Sequence, residues 1–193
     1  MGNHYEKLSY TKIARYVKCP AQYKFYIDNL KILPSDQALS GSNLHINIAE
    51  ALLDDTILQS KFGERLKLFC KYILRKPHGI EEKFSIDFIT SKLEGIIDAY
   101  SIFPRQAVIV DWKSNPGMSE ELQLKLYALA LKEQFPEIES FHCYFFYVNQ
   151  DYYEPYTFFR DEIDEFSNSL AAIMDKITTD KDFYARPGTY CKR

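Results

Sequence analysis

The reading of the chain turns on residues 95–127: Gly95-Ile-Ile-Asp98, then Val108-Ile-Val-Asp111-Trp-Lys113, then Gln123-Leu-Lys-Leu-Tyr127. This stretch reads as two short strands joined by a turn and followed by a helix. The turn falls at Phe103-Pro-Arg-Gln106, where Pro104 suits the second position. With Phe103 opposite Gln106, each step outward advances one residue on both strands. Asp98 then faces Asp111, with Cβ atoms roughly 5 Å apart. Alternation places Lys113 on the face of Asp111 and turns Val108 and Val110 to the other. A slip of one residue would send Asp98 to the opposite face, so site and register stand or fall together. Two carboxylates this close need a cation between them or a retained proton. Oxygen ligands at that spacing suit Mg²⁺ or Mn²⁺. The same three charges also fit a surface cluster on a sheet edge, and spacing alone leaves both readings open.

Length and composition frame the hairpin. A chain of 193 residues is long enough for one domain with a real core. Hydrophobic residues make up 46% and charged residues 26%, as in an ordinary globular protein. No apolar run approaches the ~20 residues that cross a bilayer, and Met-Gly-Asn-His-Tyr-Glu at the start has no signal-peptide core. The expectation is a cytoplasmic protein with no membrane partner. Cys19, Cys70, Cys143 and Cys191 are too widely spaced for a secreted disulfide framework. A net charge of −3 excludes a generic basic nucleic-acid binder. The charge is uneven, however. Residues 61–83 hold seven Lys or Arg against three Glu, whereas 119–165 hold eleven acids against Lys125, Lys132 and Arg160. That asymmetry fits a protein that meets phosphate on one side, and equally fits solvated amphipathic helices.

The rest of the chain supplies the flanking elements. Ser9–Cys19 reads as a capped helix that Pro20 ends or kinks, followed by an aromatic turn at Tyr23, Phe25 and Tyr26. A loop over 33–43 leads into a helix from Gly41 to Leu53. His45 lies near its start, and by itself is a packed or solvated residue as readily as a ligand. Ser60–Lys76 reads as one amphipathic helix with Phe62, Leu66, Phe69 and Ile73 on its apolar face. Strands follow over 81–89, 93–100 and 107–113 as an antiparallel meander. Met118–Phe135 is a helix with Gln123 and Tyr127 on one face. The aromatic strand 141–148 is read as central and buried on both faces, the strand 152–159 as its hairpin partner, and 161–178 as a closing helix. The expectation is an α/β fold, with a mixed sheet of about five strands flanked by helices and an N-terminal helical segment.

Taken together these motifs resemble the RecB-like branch of the PD-(D/E)XK nucleases, and most of all the CRISPR-associated RecB-like exonucleases. The resemblance spans nearly the whole chain. It rests on Cys19-Pro20 with its trailing aromatics, Gly41-x-x-x-His45, Glu82 with Gly95-Ile-Ile-Asp98, Asp111-Trp-Lys113, and Gln123-x-x-x-Tyr127. It implies one restriction-endonuclease-like domain over 1–193: a mainly helical part over 1–76, a catalytic α/β core over 77–180, and a tail over 181–193. It also implies that His45, Asp98 and Asp111 bind one or two divalent cations, Mg²⁺ or Mn²⁺, with the Trp112 carbonyl as a further ligand. Lys113 would orient or activate the attacking water and stabilise charge on the phosphate. Gln123 and Tyr127 would hold Lys113 or the DNA backbone in place.

The implied activity is metal-dependent hydrolysis of DNA phosphodiester bonds, as an exonuclease on single strands or ends, in CRISPR adaptation or in repair and recombination with partner proteins of those pathways. A catalytically silent DNA-binding subunit and a structure-specific endonuclease are the alternatives. The cysteines depart from the pattern. Such relatives hold a [4Fe–4S] cluster with one Cys in the N-terminal motif and three near the C-terminus. Here Cys19 matches the first and Cys191 the start of the second group, while Cys70 and Cys143 fall in apolar helix and strand positions. The expectation is a chain without the cluster, with Cys19 and Cys191 as its remnant.

Overall fold

The computed structural model describes residues 6–29, 36–115 and 121–188, with side chains described for all of these except 36–42. In chain order the elements are β1 (Glu6–Leu8), α1 (Tyr10–Lys18), α2 (Pro20–Asp28), α3 (Asp36–Leu53), α4 (Glu64–Phe69), β2 (Gly79–Asp87), β3 (Ser91–Phe103), β4 (Gln106–Lys113), α5 (Glu121–Gln134), β5 (Ser140–Tyr147), β6 (Tyr152–Phe159) and α6 (Arg160–Thr179). The sheet is mixed, in the order β1-β3-β4-β5-β6, with β2 also pairing β3. Parallel pairing joins β1 to β3 and β4 to β5, and antiparallel pairing joins β3 to β4 and β5 to β6. This is the α/β architecture that the element pattern predicts.

The chain divides into two compact units, residues 34–84 with 96–166, and residues 1–33 with 85–95 and 167–193. The larger unit is built on the β3–β4 hairpin. Phe103 pairs with Gln106 and Ala99 with Val110, the expected register, and the ladder ends there, one residue short of Asp98 and Asp111. Arg105 takes φ 60°, the positive angle required at the third position of a turn led by Pro104. The β4 face that carries Val108, Val110 and Trp112 joins Ile48 of α3 and Leu66 and Phe69 of α4 in one buried cluster. Phe69, Trp112 and Phe146 meet edge to face at 5.3–6.1 Å between ring centres. Contacts of this kind contribute ~0.5–1.5 kcal/mol each beyond the apolar area they bury. On the other face α5 packs against β4 and β5, burying Leu124, Tyr127, Ala128 and Leu131. Strand β5 lies between β4 and β6, and its second half, Phe145–Tyr147, is buried residue after residue.

Between Ser60 and Lys76 the structure differs from the single helix that the apolar spacing suggests. The helix proper is only α4, and Cys70–Leu74 form a π-helical turn closed by Arg75 at φ 59°. Gly63 precedes α4 where a Cβ would sit 2.3 Å from Asp151 Cγ, so a larger residue does not fit. Asp151 is close because it caps the helix from across the chain. Its two carboxylate oxygens accept the backbone N–H groups of Arg65 and Leu66, each at 2.8 Å. Sequence patterns look for caps next to the helix, and this one is 86 residues away.

In the smaller unit β1 pairs with the first residues of β3, Glu6 with Ser91 and Leu8 with Leu93. Three residues are too few to show alternation, so β1 is absent from the sequence-based elements. Cys19 is extended between α1 and α2, and Pro20 opens α2 at its first turn, so the proline ends one helix and starts another. Tyr16 and Tyr23 are buried edge to face at 5.6 Å, and Phe183 from the tail stacks on Tyr23. Tyr16 donates its hydroxyl to Asp180 at 2.6 Å. Burial, with help from Asp180, raises that phenol to about 12.

If Asp151 caps α4, Asp151→Ala removes both acceptors and lowers the unfolding free energy by about 1–2 kcal/mol. Chemical denaturation would show this as a lower midpoint at unchanged slope. An unchanged midpoint would mean that the cap contributes nothing to stability.

Candidate active site

Five side chains of the larger unit converge on the Asp98–Asp111 pair. Asp98 lies on β3 one residue beyond the stretch paired with β4 and is nearly buried, at 5% exposure. Its Oδ2 accepts the backbone N–H of Trp112 at 2.8 Å, across the hairpin. The same oxygen lies 3.3 Å from Nδ1 of His45 on α3, and Oε1 of Glu81 on β2 lies 3.8 Å from that nitrogen. His45, Glu81 and Asp98 each offer one ligand atom within 4.8 Å of the others. One imidazole nitrogen and two carboxylate oxygens form a donor set that a hard or borderline divalent cation accepts. The electrostatics favour such an occupant. Burial opposes charge on His45, but the hydrogen bond and charge of Asp98, with Asp111 and Glu81 behind it, raise the imidazole to about 9. Glu81 is raised by burial and by the charge of Asp98. A divalent cation held by His45, Glu81 and Asp98 would supply the positive charge that the imidazolium proton otherwise brings.

The second group surrounds Asp111, which is 1% exposed. Burial and the charge of Asp98 raise its pKa, and Lys113 and His45 pull it back. Lys113 Nζ lies 2.6 Å from Asp111 Oδ2, as an ion pair without the angles of a regular hydrogen bond. Gln123 Nε2 donates to Asp111 Oδ1 at 2.7 Å and to the Tyr127 hydroxyl at 2.8 Å, while its Oε1 accepts from Lys113 at 3.0 Å. Tyr127 donates its hydroxyl to Asp111 Oδ1 at 3.2 Å. The i, i+4 spacing on α5 therefore delivers both residues to one carboxylate. Lys113 also lies 5.5 Å above the Phe145 ring, a cation–π contact that braces it from the sheet side.

His45, Asp98, Asp111, Lys113, Gln123 and Tyr127 are thus all brought together. Trp112 contributes its backbone N–H to Asp98, while its indole belongs to the core. The acidic residue upstream is Glu81, where the motif reading points to Glu82. The cause is local: Glu81 has φ 50°, a positive angle inside a strand. Such a residue breaks the alternation from which strand faces are read, at a cost of ~1–3 kcal/mol. No pattern in the sequence signals it. Of the cysteines, Cys19 is buried in the smaller unit and its Sγ accepts the backbone N–H of Arg186 at 3.4 Å. Cys70 and Cys143 are core residues of the larger unit, and burial raises both thiols, Cys70 to about 12. Cys191 lies outside the described residues.

Against known proteins, residues 51–193 match the PD-(D/E)XK nuclease superfamily. The match begins just past His45. The fold is shared with the crystal structure of SSO0001, at TM-score 0.51 and 12% identity, over 92% of this chain and 77% of that one. It is also shared with a candidate exonuclease from Eubacterium rectale, at TM-score 0.54 and 14% identity, over 89% of this chain and 80% of that one. At these identities the likeness concerns the fold alone. None of the curated proteins matches the sequence.

The geometry separates two neighbouring glutamates. Titrated with Mn²⁺ in a calorimeter, Glu81→Gln should bind at least about tenfold more weakly than the parent chain, and Glu82→Gln should bind as the parent does. The reverse order would give the ligand role to Glu82.

Proposed function

Because the chain belongs to the PD-(D/E)XK nuclease superfamily, whose members hydrolyse phosphodiester bonds, we propose that it is a divalent-metal-dependent deoxyribonuclease that works from DNA ends or on single strands. The observation that carries this reading is the position of Lys113, tied to both Asp111 and Gln123 beside the His45–Glu81–Asp98 ligand set. In this reading His45, Glu81, Asp98 and Asp111 hold Mg²⁺ or Mn²⁺, with the Trp112 carbonyl as a further ligand. When bound, the cation supplies a Lewis acid for the phosphate and lowers the pKa of water.

The chain's own residues do the rest. Lys113 offsets the negative charge that grows on the phosphate oxygens, from a fixed point that needs no reorganisation. Gln123 fixes that point by accepting from the lysine while donating to Asp111. Tyr127 closes the set, and its phenol is held neutral by burial and by the charges of Asp111 and Asp98. It therefore serves as a hydrogen-bond donor that keeps the Asp111 carboxylate in one orientation. The i, i+4 pair of Gln123 and Tyr127 supports a place in the RecB-like branch, with DNA ends in CRISPR adaptation or in repair and recombination as the setting.

End-labelled single strands, duplexes and single-stranded circles, each with Mg²⁺, Mn²⁺ or EDTA, test the proposal. Cleavage should require metal, proceed from ends and spare the circles. Asp111→Asn and Lys113→Met should each lose about 100-fold or more in rate while still binding DNA, and Gln123→Ala about tenfold. A circle that is cut makes the protein an endonuclease. Full activity in Lys113→Met removes the assigned site.

A further inference from the structure

The larger unit has a second concave feature that none of these residues uses. Helix α3 continues past His45 to Leu53, eight residues or about 12 Å along its axis. There it borders a cavity of about 580 Å³ together with Ile57, Leu58, Cys70, Lys71 and the run Arg75-Lys76-Pro77. The lining has two chemistries. Ile57 is buried, and Leu53 and Leu58 are 70% and 43% exposed. Lys71, Arg75 and Lys76 add three cations against a single carboxylate, Asp55. None of the three cations forms an ion pair among the described residues. Lys71 and Arg75 lie 5.1 and 5.2 Å over the rings of Tyr72 and Phe103.

The backbone beneath these cations is strained and clamped. Arg75 sits at φ 59° and ψ −133°, immediately after the π-helical turn Cys70–Leu74. A glycine would take that angle without strain, and the exposed arginine side chain adds nothing to the core. The buried Ser101 hydroxyl bridges the carbonyls on either side, 2.5 Å from Leu74 O and 3.2 Å from Lys76 O. The Arg75 N–H donates to Cys70 O at 2.7 Å. Positive φ at a non-glycine residue and π turns both concentrate at functional sites.

We propose that this cavity is a second nucleic-acid subsite, which takes one nucleotide of a single DNA strand. Base and sugar rest on Leu53, Ile57 and Leu58, and the flanking phosphates meet Lys71, Arg75 and Lys76. The volume lies within the ~300–1,000 Å³ of small-ligand sites. Both walls lead to the ligand set, α3 back to His45 and Pro77 forward into β2 and Glu81. The proposal rests on the nuclease reading above and adds to it the path of the strand outside the scissile bond.

Fluorescence anisotropy with a labelled oligothymidylate tests it, in an Asp111→Asn background that leaves the probe uncut. The triple change Lys71→Gln, Arg75→Gln and Lys76→Gln should weaken binding at least tenfold. It should also flatten the slope of log affinity against log salt by about 1.4, since each of the two phosphates that flank the nucleotide contributes ~0.7. Parental affinity and slope would overturn the proposal. Arg75→Gly separates function from fold: its melting temperature should not fall, while its oligonucleotide affinity drops several-fold. A melting temperature that falls with parental affinity makes Arg75 structural and overturns its role. An abasic strand of equal length should bind several-fold more weakly than oligothymidylate, and equal binding overturns the base-holding floor. Cleavage by the unsubstituted chain is a separate readout. Cutting with Mg²⁺ or Mn²⁺ by the unsubstituted chain, alongside a triple variant that binds as the parent does, sinks the subsite alone, whereas no cutting sinks the nuclease reading.

Discussion

The hydrogen bond from the Trp112 amide to the Asp98 carboxylate holds the larger unit and its candidate site in one register. It crosses from β4 to β3 one step beyond the last pair of the ladder, Ala99 with Val110. A carboxylate that accepts a backbone N–H in a buried setting contributes more than a neutral hydrogen bond. It also fixes which face each residue of β4 presents. Slide the strands by one residue and Trp112 leaves the Phe69–Phe146 cluster as Asp111 and Lys113 leave the site. Core and chemistry are therefore specified by the same contact, and neither can drift while the other stays in place.

Strand β4 shows how the two demands are shared. Its Val108, Val110 and Trp112 face is apolar throughout and adds to the main buried cluster. Its Asp111 and Lys113 face concentrates charge, with Asp111 nearly inaccessible and carrying a raised pKa. Burying a carboxylate costs several kcal/mol unless it is paired and hydrogen-bonded. Here the pairing is dense: an ammonium, an amide and a phenol all converge on one aspartate. The opposite side of the same strand carries aromatic packing, Trp112 against Phe69 and Phe146.

Much of this was legible in the residues. Pro104 fixes the turn, the turn fixes the register, and the register brings Asp98, Asp111 and Lys113 to one end of the hairpin. The spacing of Gln123 and Tyr127 likewise placed both on one face of α5. What was not legible depends on backbone angles and remote contacts. Glu81 replaces Glu82 because one residue of β2 adopts φ 50°, a departure that alternation cannot register. The helix expected over Ser60–Lys76 breaks because Asp151, far along the chain, caps it late and Arg75 closes it early. Strand β1 is too short for any periodicity. In each case local pattern was overruled by a contact distant in sequence or by a single strained dihedral.

Gln123 sits between charges of opposite sign, its carbonyl toward an ammonium and its amino group toward a carboxylate. A glutamate there would keep the lysine and repel the aspartate. A lysine would keep the aspartate and repel the other ammonium. Asparagine has both ends but is one methylene short of spanning them. The position therefore asks for a neutral group with a defined head and tail, and the direction in which that amide points records the order of charge along the site. Rotating it end for end would bring donor to donor and acceptor to acceptor at once. The least charged member of the cluster thus encodes the polarity of all the rest.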